Sequence, residues 1–155
     1  MNDLINLFGD DIIKKHVYDD IFICNEISRD YGLKLNEKDV KEIIKTRDEA
    51  LKRSGRIEFN GQIISKIIEK FCDSPYISQY NYSETINELV EIFYNYKNET
   101  IDLLGDDELI DIMKDKFDGY CQGSLELLEG KVLYLIADNI RNGVRDYTNL
   151  DNEKE

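Results

Sequence analysis

The sequence predicts an all-α fold, a single-domain bundle of five to six helices, on three observations. Apolar residues recur at helical spacing through almost the whole of the 155 residues. A single proline interrupts them. A hydrophobic fraction of 41% with 10% aromatics supplies enough apolar material for one core, despite 34% charged residues. At about 150 residues per domain, the length predicts one domain, here 1–148, followed by a frayed acidic tail, 149–155.

The first stripe comprises Ile12, Ile13, His16, Val17, Ile21, Cys24 and Ile27, and Gly32 is placed to end it. The second helix is marked at both ends. Asn36 is the N-cap, Glu37 and Asp39 occupy the first turn, and Lys52, Arg53 and Gly55 close it, around an apolar face of Val40, Ile43, Ile44 and Leu51. The run Arg56 to Gly61 alternates like a short strand, but an isolated extended run has nothing to pair with and reads as a loop. Ile63, Ile64, Ile67, Ile68 and Phe71 form the cleanest amphipathic stripe. Pro75 then suits the first turn of the next helix, expected from Ser83 to Ile101, with Ile86, Leu89, Val90 and Phe93 inward. A shorter helix follows from Asp106 to Phe117, with Leu109, Ile110 and Met113 inward, and Gly119 and Gly123 bracket a loop. The last helix, Ser124 to Arg145, is apolar over so broad an arc that it reads as the central one, weakened at Gly130 and Gly143.

Charge narrows the function classes. Thirty-three acids against twenty basic residues leave a net charge of −13, which opposes binding to nucleic acid or to an anionic membrane. The start of the chain has no basic segment before an apolar one, and the longest apolar run, Val132 to Ala137, is far short of a membrane span, so neither secretion nor insertion is expected. Cys24, Cys72 and Cys121 are odd in number and widely spaced, which fits a reducing cytoplasm better than a disulfide framework or zinc site.

Four constellations could carry chemistry. Glu88-x-x-Glu91 and Glu108-x-x-Asp111 each place two carboxylates on one helix face, and two such helices side by side could hold Mg²⁺ through oxygen. The spacing is similar to the ExxE and ExxD pattern of all-α nucleoside triphosphate pyrophosphohydrolases, in which it implies metal binding and water activation. Against this, random placement of so many acids gives roughly seven acid-x-x-acid pairs, and no basic or glycine-rich element lies nearby for the phosphates. His16, alone of its kind, sits on an apolar stripe and reads as a packed histidine at the core edge rather than a base. Gly119 to Ser124 leads into a helix N-terminus, where amides can lower a thiol pKa at Cys121, but the lysine of a phosphate loop is missing and a tight turn capped by Ser124 is the favoured reading. The fourth is a cluster of five of the ten tyrosines within 21 residues: Tyr76, Tyr80, Tyr82, Tyr94 and Tyr96. Tyrosine combines contact area with a polar tip, so the cluster is either a docking surface or the rim of the core.

The strings Phe71-Cys72-Asp73-Ser74-Pro75-Tyr76, Glu91-Ile92-Phe93-Tyr94 and Phe117-Asp118-Gly119-Tyr120-Cys121-Gln122-Gly123-Ser124-Leu125-Glu126 resemble an uncharacterised family of small acidic proteins from anaerobic Gram-positive bacteria, over about Cys24 to Ile140. The resemblance implies a cytoplasmic bacterial protein and transfers no catalytic residue. The resulting expectation is a cofactor-free protein-binding module that uses an acidic surface and the segment from Tyr76 to Tyr96. A Mg²⁺-dependent pyrophosphohydrolase is the first alternative, and an acidic mimic of nucleic acid docking on a basic protein is the second.

Overall fold

A computed structural model describes the backbone of residues 2–150 and the side chains of residues 15–150. Among the described residues there are six helices: α1 Asn2–Ser28, α2 Glu37–Ser54, α3 Gln62–Phe71, α4 Tyr82–Glu99, α5 Asp106–Asp118, and α6 over 125–141. The last is built from an α turn Leu125–Leu127, a π-helical stretch Leu128–Val132 and an α-helix Leu133–Arg141. The described residues include no strand. The fold is an all-α single-domain bundle.

Local signals account for most boundaries. Asn36 caps α2 reciprocally: its side chain accepts from the Asp39 amide, and the Asp39 carboxylate accepts from the Asn36 amide. Gly55, at φ 69°, closes the same helix, and Gly32, at φ 75°, follows a short 3₁₀ turn, Arg29–Tyr31, that extends α1. Ser124 caps α6 by accepting from the Leu127 amide. Pro75 departs from expectation, because it lies in a loop over 72–81 rather than in the first turn of α4.

Helix α4 is the centre of the bundle, packing on α2, α3, α5 and α6, whereas α6 packs at one side against α4 and α5. This corrects the central place expected for the last helix. The cause is the π stretch. At 100° per residue the inward residues Leu125, Leu128, Val132, Leu133, Ile136, Ala137 and Ile140 spread over roughly 180°, and a one-residue register skip within the π stretch narrows that arc. The breadth that suggested centrality is the trace of an extra residue in an ordinary one-sided helix. Its last α-helical residue is Arg141 rather than Arg145.

In α1, Val17, Ile21 and Cys24 are buried, but Ile27 is exposed, six residues and roughly 120° round from Ile21. His16 is likewise exposed, one residue from Val17, and so is not packed at the core edge. The side chains of Ile12 and Ile13 lie outside the described residues. At the other end, Tyr147 and Leu150 are partly buried and pack on the core, Leu150 within the stretch expected to fray; residues 151–155 lie outside the described residues.

The loop over 55–61 needs no ladder because Arg47, buried on the inner face of α2, satisfies it. The guanidinium donates to the carbonyls of Glu58 and Asn60, both at 2.8 Å, and to Asp48 Oδ1 at 2.9 Å.

Candidate functional site

The five clustered tyrosines divide into two environments. Tyr82 and Tyr96 share the inward face of α4 with Ile86, Leu89 and Phe93, and Tyr94 is buried beside Phe93 with ring centroids 5.1 Å apart. These three are core residues, which corrects their place on a continuous docking surface. Their hydroxyls sit differently. Tyr94 donates to Glu58 Oε2 at 2.6 Å, and Tyr96 donates to the Glu129 carbonyl within the π stretch. Tyr82 lies beside the Ser28 hydroxyl but makes no hydrogen bond of normal geometry. Burial pushes the phenols of Tyr82 and Tyr96 up to about 12. Tyr94 is raised further, by burial and then by its bond to Glu58.

Tyr76 and Tyr80 face solvent, at 39% and 100% exposure, on the loop over 72–81. That loop is held against the turn over 119–124. Ser74 donates to Asp118 Oδ1 at 2.6 Å and accepts from the Tyr76 amide. Lys114 bridges Asp73 and Asp118, at 2.7 Å to each. Burial opposes the Lys114 charge, but the hydrogen bonds that its ammonium donates to the two carboxylates outweigh it and hold the ammonium above the usual lysine value. The Tyr76 ring meets Phe117 edge-on, and an added Cβ at Gly123 would fall 2.5 Å from Tyr76 Cβ. Glycine is therefore required at 123 on two grounds, close approach and a φ of 83°.

Two of the distinctive strings are thus packed on each other in space. Their junction presents a third exposed ring, Tyr120, at 49%, with the Lys131 ammonium 5.4 Å from its centroid. Sequence clustering missed Tyr120, which lies 24 residues beyond Tyr96; Gly119 and Gly123 around it were the available signal. The junction offers fixed aromatic area with charge at its edge.

The four carboxylates of the metal reading do not converge. Asp111 pairs with Lys70 at 2.7 Å, and Glu108 lies 3.5 Å from the Tyr147 hydroxyl. Glu88 faces other acids: partial burial and then Glu84, Glu129 and Glu91 push its carboxyl up. Among the described residues, no group of three or more His, Cys, Asp or Glu is arranged to hold a metal ion. Cys121 is buried, and burial raises its thiol despite Lys116, the reverse of an activated nucleophile.

A helical single-domain protein with a hydrogen-bonded, tyrosine-bearing loop junction is the class that fold and site define. A family described as Family of unknown function (DUF6323) matches residues 20–146, which include every string of the junction, and the chain belongs to that family. No curated protein and no solved structure matches it. No helix among the described residues is long and apolar enough to cross a membrane.

Proposed function

We propose that this protein is a small binding module for another protein, and that Tyr76, Tyr80 and Tyr120 form its docking surface. The observation that carries the reading is the contrast at the junction: Tyr80 is entirely exposed, while the loop that bears it is fixed by the Ser74–Asp118 bond, the Lys114 bridge and the contact of Tyr76 with Gly123. Exposed aromatics on a preorganised base lose little entropy on binding and make the largest contributions to interfaces. The free, buried cysteines fit a bacterial cytoplasmic setting without a cofactor.

The test is recovery of a defined partner from native lysate by the immobilised protein, repeated with Tyr80→Ala and Tyr120→Ala. Both variants should melt like the parent and lose the partner, since truncating an interface tyrosine commonly costs about 2 kcal/mol or more. Undiminished recovery with both variants would remove the tyrosine surface from the reading.

A further inference from the structure

The surface between α1 and α2 shares no residue with the tyrosine junction. Tyr18 and Ile44 form the floor of an open cavity of 550 Å³, and Lys15, Lys41 and Lys45 stand on its rim. Towards the start of α2 it meets a second cavity, of 530 Å³, which adds Lys38. Past Ile44 and Asp48 it runs into a third, of 430 Å³, between Lys52, Arg56 and the exposed side chains of Ile57 and Phe59. From Lys38 to Lys52 the trough follows fifteen residues of α2, a rise of about 21 Å.

Its charge runs against that of the molecule. On a chain of net charge −13, six cations edge one apolar channel. Part of this charge is paired within the protein: Lys41 with Glu37 at 3.2 Å, Arg56 with Asp102 at 2.7 Å and Asp48 with Arg47 at 2.9 Å, while Glu58 accepts from the Tyr94 hydroxyl at 2.6 Å. Glu42 and Glu49 remain, against Lys38, Lys45 and Lys52, which form no ion pair among the described residues.

We propose that this trough takes an acidic amphipathic helix of another protein. Its apolar face, spaced i, i+3, i+4, i+7, would lie over Tyr18, Ile44 and the Ile57–Phe59 loop, and its flanking Asp and Glu would meet the lysines. The length suits about four helical turns, and the open form suits a helix better than a small ligand, which needs a more enclosed pocket.

The probe is a fluorescently labelled, stapled 16-residue helix with leucines at that spacing and glutamates on both flanks, compared with a twin in which every glutamate is lysine. The overall field of the protein favours the basic twin, so only the local cations can reverse the order. Anisotropy titrations at physiological salt should show the acidic peptide binding saturably and tighter by about tenfold or more. The double variant Lys41→Glu/Lys45→Glu, exposed and so expected to fold, should lose that advantage, and Ile57→Ser/Phe59→Ser should weaken binding without changing the preference. Tyr80→Ala and Tyr120→Ala should leave it unchanged, which separates this groove from the tyrosine junction. Equal or tighter binding of the basic twin, or acidic-peptide binding that survives the charge reversal, overturns the proposal. So does a concentration-dependent dimer in sedimentation that the same reversal disperses, because a second copy is then the occupant.

Discussion

At the scale of residues, Arg47 carries more structure than its position in a charged helix suggests. It is 3% exposed, and its guanidinium holds two backbone carbonyls of the loop over 55–61, alongside the Gly61 amide bond to Asp20 and the Tyr94 bond to Glu58. Arg47→Ala should strand two carbonyls and part of the Asp48 and Glu58 charge, costing about 2 to 3 kcal/mol in chemical denaturation. Arg47→Lys should recover little, since one ammonium cannot span the same acceptors. The tyrosines give a second test. Tyr94→Ala should cost about 3 kcal/mol or more, whereas Tyr80→Ala should stay within about 0.5 kcal/mol. Alkaline titration follows from the buried phenols. Their folded pKa values lie above the unfolded value near 10, so their contribution to stability is complete below about pH 10 and is lost as pH rises towards about 12. The phenolate absorbance of these three should therefore rise together with the loss of helical ellipticity; ionisation well before unfolding would contradict their burial. Part of this division was legible in sequence. Tyr82, Ile86, Leu89, Phe93 and Tyr96 follow 4-3-4-3 spacing, which marks Tyr82 and Tyr96 as inward, but the Tyr94 bond to Glu58 spans 36 residues and no local pattern announces it.

At the scale of elements, sequence signals succeeded where the determinant is local. The reciprocal cap at Asn36 and Asp39, the positive-φ glycines at 32 and 55, and the run from Ile63 to Phe71 each specify their own boundary or face. They failed at Pro75, where the Ser74–Asp118 bond, made across 44 residues, holds the chain as a loop instead of starting a helix. The junction this creates yields a sharp prediction at Gly123. Gly123→Ala combines left-handed backbone with a contact 2.5 Å from the Tyr76 side chain, and should destabilise by more than about 2 kcal/mol while freeing the loop over 72–81 to proteolysis. Gly143→Ala, at φ 73° but in open space, should cost only about 1 kcal/mol. Equal losses at the two positions would mean that the close approach carries no energy.

At the scale of the whole molecule, one hydrophobic cluster runs from α1 to α6 through the central α4. Thermal unfolding monitored by ellipticity and by tyrosine fluorescence should therefore give one coincident transition. The all-α class was readable because period 3.6 dominates nearly every apolar run. The centre of the bundle was not, because a register skip in α6 mimics a helix buried on several sides. The fate of the acidic couplets was also beyond reach: with acids so frequent, spacing alone cannot tell convergent carboxylates from solvated ones, and the packing of α4 and α5 decides. Because those carboxylates stand apart, Mg²⁺ or Mn²⁺ at millimolar concentration should shift the melting temperature by no more than about a degree. A saturable rise abolished by Glu91→Gln would revive the metal reading.

The π stretch also bears on which changes in chain length this family can absorb. Removing one residue from a regular helix turns everything beyond it through roughly 100° and buries the wrong side chains. In α6 the opposite holds, because the five-residue stretch Leu128–Val132 already contains one residue too many for α geometry. Deleting Gly130 should let the segment close as a plain α-helix with Leu128 and Ile136 still facing inward, at the loss of the Tyr96 bond to Glu129. Kindred sequences aligned here are expected to show single-residue gaps at Gly130 more readily than in α3 or α4.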